Sequence, residues 1–365
     1  MTKSSTRAGR RMKVGIVGCG NIAGPYARDV ATKPSLELVA FTDLDLTRAK
    51  ALAEIHGGRA VPGVDDVLEL ADLVVNLTVQ QAHAGVTRRA LEGGRHVHSE
   101  KPLALSSDEA HGLVDLARER GVRLGGSPFT LMGEAQQTAW KLLREGRAGT
   151  PRAVYAEVNW GSIETWHPAP APFYEVGALV DVGVYPLTIV TATLGPARRV
   201  QSFGRVLKPD RVTRDGTKFR ITTPDFAVTM LELEGGVVVR LTTSFYVAQQ
   251  AKNYAALEFH GDEGSVFLGH HSEFGAPVEF AAYGDHGGYR PVPLVRPGPA
   301  QVDWSRAVED MAAAIAEDRP HRATGEQAAH IVDILMAAKD SATNGGRAVD
   351  VTSSFAPPAP MPWAQ

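Results

Sequence analysis

Lys13-Val-Gly-Ile-Val-Gly-Cys-Gly-Asn-Ile-Ala-Gly24 is the stretch on which the reading of this chain turns. Its apolar residues Val14, Ile16 and Val17 describe a short buried strand. The strand runs into Gly18-Cys19-Gly20-Asn21-Ile22-Ala23, after which helical composition takes over. A Gly-x-Gly-x-x-Ala turn between strand and helix is a dinucleotide-binding pattern. The first glycine permits the sharp turn, the second lets backbone approach a pyrophosphate, and a small third residue lets helix pack on strand. The helix N-terminus then offers N–H groups to the phosphates. Gly18, Gly20, Asn21 and Ile22 are the cofactor-binding candidates here. Taken alone the pattern is weak, because glycine-rich turns after strands are common.

Working outward, the same grammar repeats. Residues 22–32 describe a helix, 36–42 a strand, 46–56 a helix, 64–70 a short helix and 71–78 a strand. A helix over 81–91, a strand at 96–98, a helix over 106–120 with a serine cap, and a strand at 122–124 complete the series. This alternation predicts an α/β N-terminal Rossmann domain, a doubly wound and mostly parallel sheet, over residues 13–127. Asp43 falls about twenty residues past the glycines, where such a fold sets an acid against the adenosine ribose. Asp43 or Asp45 could equally cap the helix that follows. An acid at this place repels a 2′-phosphate and favours NAD over NADP, whereas the nearby Arg48 could accommodate that phosphate.

From residue 128 the rhythm changes. An amphipathic helix over 132–147 is followed by strand-like runs at 153–159, 197–207, 225–233, 237–247, 255–260 and 265–268. Glu234-Gly235-Gly236 is a hairpin signal. Residues 270–300 read as loop or edge, and 304–317 and 325–343 as helices. The second domain, 128–350, is therefore expected to be α+β with a large, mostly antiparallel, open-faced sheet that could serve a homodimer or homotetramer. Residues 1–12 and 351–365 read as tails, and the two domains are expected to leave a cleft.

Composition narrows the function. Of 365 residues, 44% are hydrophobic and 22% charged, with a net charge of -3, and the mean hydropathy is -0.13. That gives no basic footprint for nucleic acid or for an anionic membrane. The longest apolar runs fall short of a membrane span, and a cytoplasmic protein is the default. Cys19 is the single cysteine, which leaves no disulfide framework and no cysteine-based metal site. No metal-ligand cluster is visible. Cys19 itself reads as a packing residue within the glycine turn.

Two further groups carry chemistry. In doubly wound sheets, ligands sit at the carboxyl ends of strands, which directs attention to Thr78, to His83 and to Glu100-Lys101-Pro102. The other group is Asp181-Val-Gly-Val-Tyr185, in an apolar segment over 180–194 that reads as one buried helix with Pro186 in its first turn. Four residues apart, Asp181 and Tyr185 would share a helix face, although Asp181 could be an N-cap and Tyr185 a core tyrosine. Upstream, Trp160, Trp166 and His167 are candidates for substrate binding, or for plain loop packing.

In this order and spacing, over nearly the whole chain, the sequence resembles the Gfo/Idh/MocA family of NAD(P)-dependent oxidoreductases. The resemblance is to its tyrosine-bearing branch, with glucose–fructose oxidoreductase, dihydrodiol dehydrogenase and sugar ketoreductases; most members have histidine where this chain has Tyr185. It also departs from the family's run of glycines before the aspartate, having Val176-Gly177-Ala178-Leu179. The resemblance implies that Lys101, Asp181 and Tyr185 are catalytic, with Tyr185 as acid/base assisted by Lys101. It implies that Glu100 and Lys101 meet the nicotinamide half of NAD or NADP. The implied reaction is hydride transfer to or from a sugar, sugar derivative or cyclitol. A non-catalytic NAD(P)-binding sensor and an NAD-dependent glycosidase with transient oxidation are the competing readings.

Overall fold

A computed structural model describes residues 10–365. Residues 1–9 of the expected N-terminal tail lie outside the described residues, and Met12 already belongs to the first strand. The chain divides into two compact units, Met1–Phe129 with Asp303–Ala329, and Thr130–Val302 with His330–Gln365.

The first unit follows the alternation read from the sequence. Strands β1 (Met12–Val17), β2 (Leu36–Thr42), β3 (Arg59–Ala60), β4 (Leu73–Asn76), β5 (His96–Ser99) and β6 (Leu124–Gly126) form one sheet in the order β3-β2-β1-β4-β5-β6. Every pairing in it is parallel. Helices α1 (Ala23–Ala31), α2 (Leu46–His56), α3 (Val64–Leu70), α4 (His83–Glu92) and α5 (Ser107–Arg120) make the connections. The central strands β1 and β4 are apolar almost throughout, as strands covered on both faces must be. Ser106 caps α5 through Glu109 N–H, and Gly121 ends it in the left-handed conformation. The strand expected at 122–124 lies two residues later, as β6.

The second unit holds α6 (Glu134–Arg144), β7 (Pro151–Asn159), α7 (Ala171–Val176), α8 (Ala178–Val182) and α9 (Val184–Leu194). There follow β8 (Ala197–Arg205), β9 (Asp210–Val212), β10 (Lys218–Arg220), β11 (Phe226–Leu233), β12 (Val238–Ser244), β13 (Leu257–Gly261), β14 (Gly264–Leu268), β15 (Val278–Ala282) and β16 (Arg290–Pro291). Toward the C-terminus come α10 (Arg306–Ala316), which counts with the first unit, α11 (Gly325–Thr343), through which the division passes, and β17 (Val349–Asp350). The nine-stranded sheet runs β16-β15-β14-β13-β7-β12-β11-β8-β17. Only the pair β7–β12 is parallel, so the sheet is mostly antiparallel, as expected. Alternation along β11 and β12 sends Leu231, Leu233, Val239 and Leu241 into a core shared with Leu187, Ile189 and Val190 of α9 and Leu335 and Ala338 of α11. The opposite face presents Tyr155, Met230 and Phe203.

Four features differ from the expectations. Asp303–Ala329 packs with the first unit, where Thr324 bridges Gly125 beside β6 and His321 Nε2 lies 3.0 Å from Leu124 O. The helix expected over 180–194 is broken at Gly183 into α8 and α9. Pro186 has no N–H for the carbonyl of Val182, and its ring crowds that carbonyl, so the turn around Gly183 cannot remain regular. The segment 351–365 is no loose tail, since Val351, Phe355 and Ala364 are buried and Met361 N–H donates to Gln137 Oε1 of α6 at 2.9 Å. Finally, β9 and β10 form a separate two-stranded hairpin that the sequence reading passed over.

Candidate active site

In the first unit, the turn after β1 is built around Gly18, whose φ is +93°. A Cβ there would come within 2.7 Å of the backbone at Leu77 and Thr78, beyond β4. Glycine is thus imposed by conformation and by close approach together. Gly20 differs: among the described residues, no atom lies within 4 Å of its Cβ position. Nothing in the protein itself excludes a side chain there, while a pyrophosphate backed against the turn would. No side chain caps the N-terminus of α1, which suits a phosphate-facing helix end. These residues fit a dinucleotide.

Asp43 staples this turn to the end of β2. Its Oδ2 accepts from Cys19 N–H at 2.6 Å and its Oδ1 from Asp45 N–H at 2.9 Å. The helix cap proves to be Asp45, which accepts from Thr47 N–H, so capping accounts for Asp45 and not for Asp43. A carboxylate retains lone pairs for ribose hydroxyls beyond two such bonds. Arg48 Nε lies 3.5 Å from Asp45 Oδ2 at the surface. Burial, with Asp43 nearby, pushes the Cys19 thiol up to about 12, in keeping with a packing role.

At the next strand ends, Thr78 Oγ1 donates to Asn76 Oδ1 at 2.7 Å. His83, expected at the cofactor, is buried with Nδ1 2.8 Å from Pro102 O and Nε2 3.0 Å from Thr78 O. A neutral ring donates to one of these carbonyls and only faces the other, and it lies between the Thr78 loop and the Lys101-Pro102 turn. Burial holds its imidazole below the usual histidine range, against the pull of the two carbonyls and Glu100. Glu100 is 9% exposed. Its Oε2 accepts from Lys101 N–H at 3.2 Å and its Oε1 from Tyr26 O–H at 3.1 Å. Tyr26 OH lies 3.3 Å from Ser127 Oγ, which is 3.1 Å from Nε2 of the wholly buried His98. Burial drives that imidazole down to about 3. A chain of buried polar groups therefore stands behind Glu100, and sequence reading had no signal for it.

In the second unit, Asp181 lies inside α8, fully buried, with its own N–H on Gly177 O at 3.1 Å. It is not an N-cap. Tyr185 opens α9 beyond Gly183, where a Cβ would meet Leu179 O at 2.4 Å. Tyr185 is half-buried, its ring 6.0 Å from Trp160 and 4.9 Å from His271. Trp160 meets Trp166 at 5.9 Å, and Trp166 Nε1–H donates to Trp160 O. His167 and Phe173 continue the cluster at 5.7 Å and 5.9 Å from Trp166. Trp160, Trp166 and His167 are thus gathered with Tyr185 into one aromatic wall.

This wall rests on an ion cluster that the sequence did not reveal. Arg211, on β9, is buried with its guanidinium 3.0 Å from Glu164 Oε1 and 2.5 Å from Asp225 Oδ2. It also donates to Tyr174 OH at 2.6 Å and lies over that ring. Burial and the Glu164 carboxylate raise the Tyr174 phenol above its usual range. Among the described residues, no group of three or more His, Cys, Asp or Glu side chains could hold a metal ion. No described helix is long and apolar enough to cross a membrane.

Two family models match. One, an oxidoreductase family with an NAD-binding Rossmann fold, covers residues 12–126, and the GFO/IDH/MocA C-terminal domain covers residues 136–267. The chain belongs to the Gfo/Idh/MocA family of oxidoreductases, and its first unit is an NAD-binding Rossmann domain. A dTDP-3,4-didehydro-2,6-dideoxy-alpha-D-glucose 3-reductase of Streptomyces violaceoruber is 34% identical over 215 residues, 58% of this chain and 62% of that protein. The match therefore spans less than two thirds of that relative's length. A protein of the same name from Actinomadura kijaniata is 30% identical over 271 residues, 70% of this chain and 74% of its own. An NAD binding oxidoreductase from Klebsiella pneumoniae shares the fold, with a TM-score of 0.83 at 20% identity, covering 94% of this chain and 100% of that one.

Proposed function

We propose that this chain is an NAD(P)-dependent oxidoreductase that moves a hydride between nicotinamide and a carbinol or keto carbon of a sugar, sugar derivative or cyclitol. Lys101, Asp181 and Tyr185 are its catalytic side chains. The observation that carries this reading is Tyr185 itself, a half-buried phenol in an aromatic wall, one turn past the fully buried Asp181. It belongs to a chain whose other unit has the NAD-binding fold. Two relatives named as keto-sugar reductases support the substrate class.

Bound NAD(P) supplies the hydride acceptor or donor. Gly18, Gly20, Asn21 and Ile22 hold the pyrophosphate, Asp43 the adenosine ribose, and Thr78, Glu100 and Lys101 the nicotinamide half. His83 serves by fixing Thr78 and Pro102. Tyr185 takes the proton from the reacting hydroxyl in oxidation and returns it in reduction. A phenol ordinarily ionises at a pH of about 10, and the Lys101 ammonium favours the phenolate and polarises the substrate oxygen. Asp181 holds a neighbouring hydroxyl or orients Lys101, and Trp160, Trp166 and His167 stack on the sugar ring.

A panel of aldoses, cyclitols and keto-sugars, assayed with NAD and NADP separately by nicotinamide absorbance, identifies the substrate. Tyr185→Phe and Lys101→Ala are each expected to abolish turnover, while NAD binding, measured by calorimetry, is unchanged in Tyr185→Phe and weakened but still measurable in Lys101→Ala. Turnover retained in either variant rejects the mechanism. The exposed sheet face with Tyr155, Phe203 and Met230 supports a homodimer or homotetramer, which light scattering after size exclusion tests directly; a monomer at micromolar concentration rejects it.

A further inference from the structure

Tyr185 has a neighbour that the proposed chemistry leaves unused. The His271 ring stacks on the phenol at a centroid distance of 4.9 Å and an interplanar angle of 25°. Another aromatic neighbour, Trp160, is more distant and more tilted, at 6.0 Å and 38°. His271 is 1% exposed, and its own position is fixed from several sides. Its N–H donates to Ala255 O at 2.8 Å, and Nδ1 lies 2.5 Å from Ser272 Oγ. The His270 ring packs at 4.8 Å. Nδ1 of His270 accepts from the N–H groups of Ser272 and Glu273 at 3.0 and 3.1 Å. Gln136 of α6 locks the whole turn, donating from Nε2 to the carbonyls of His270 and Glu273 at 3.1 and 3.0 Å.

We infer that His271 is a positioning residue, a flat and edge-anchored surface that sets the plane of the Tyr185 phenol. The inference rests on the reading of Tyr185 as the acid/base. A tyrosine side chain turns about two torsions, and small misplacements of a reacting group cost large factors in rate. A stacked ring narrows those torsions without adding a charge, because burial and the adjacent His270 keep the His271 imidazole neutral. An imidazole does this better than a benzene ring of similar outline, since Ser272 can tie its edge and so fix the plane of stacking.

A second observation points the same way. Nε2 of His271 is buried with no hydrogen-bond partner among the described residues. An orphaned buried nitrogen is a cost that a phenylalanine or leucine at the same place would not carry. The residue is thus poorly chosen for stability and well chosen for holding Tyr185, a local conflict that marks functional positions.

The test compares His271→Leu, which removes the flat face, with His271→Phe, which keeps the face and loses the anchor. Both are assayed with the best substrate from the panel, alongside Tyr185→Phe. The expected order of kcat is wild type, then His271→Phe, then His271→Leu. The leucine variant should fall about tenfold or more with KM within about twofold. Thermal midpoints of both variants should be at or above that of the wild type, which a merely structural residue would not show. If His271→Leu does not fold, Ser272→Ala takes its place and is expected to lower kcat by a few fold. Full kcat in His271→Leu or in a substituted Ser272→Ala, or equal losses in the two His271 variants, overturns the inference. If Tyr185→Phe is also fully active, the acid/base reading falls with it; if Tyr185→Phe is inactive, only the role of His271 is lost.

Discussion

Two glycines in one turn answer to different demands, and that difference can be measured. Gly18→Ala combines a positive φ with a Cβ 2.7 Å from backbone. It is expected to destabilise the fold by about 2–4 kcal/mol, seen as a lower urea midpoint. Gly20→Ala meets no protein atom within 4 Å. It should leave the midpoint unchanged and weaken NAD binding by about tenfold or more, seen by calorimetry. Loss of stability in Gly20→Ala would contradict the assignment of that space to the pyrophosphate. The glycines, Asp43, Lys101 and Tyr185 could be singled out as candidates because each sits at a motif spacing. That Asp43 would bind Cys19 N–H, or that His83 would lie between two carbonyls, was not legible. Such partners are chosen by tertiary packing, which leaves no local period. His271 escaped for the same reason: its signal is a ring contact with a residue on a distant helix.

Among the elements, regular strands and helices with clear periodicity were read closely, and α2, α3 and α11 match their expected spans. The β9–β10 hairpin was missed because its strands are three residues each and polar, too short for an alternating pattern to register. Yet this hairpin delivers Arg211 to Glu164 and Asp225. Arg211→Met leaves two buried carboxylates without their cation and is expected to cost about 3–5 kcal/mol. NAD affinity should not change, because the glycine turn belongs to the other unit. Chemical denaturation and calorimetry check the two halves of that statement. The triple variant Arg211→Met, Glu164→Gln, Asp225→Asn should be less destabilised than the single one, since it removes the stranded charges.

For the molecule as a whole, the histidines set the acid limit. Burial lowers the imidazoles of His83, His96, His98, His270, His271 and His321. The folded state refuses protons that the unfolded chain accepts near its ordinary value of about 6.5, so stability rises with pH across that range. Each such group contributes fully above about 6.5, and its contribution is lost as pH falls toward its folded value, about 3 for His98. His98 alone should cost about 2 kcal/mol at a pH of about 5. Urea midpoints are expected to fall steeply below neutrality, and less steeply in His98→Gln; an unchanged slope in that variant would refute the assignment.

The division of the chain also bears on how the protein is made. The Rossmann unit takes residues 303–329 from far downstream, where Thr324 bridges Gly125 beside β6. The second unit closes its core with α11 and also holds the buried Ala364. During synthesis from the N-terminus, the Rossmann unit cannot finish until Ala329 has left the ribosome, nor the second unit until Ala364 has. The nascent protein therefore carries both cores incomplete until Asp303–Ala329 has been made. A fragment cut after Phe129 would reproduce the nucleotide-binding motif but not the body that supports it.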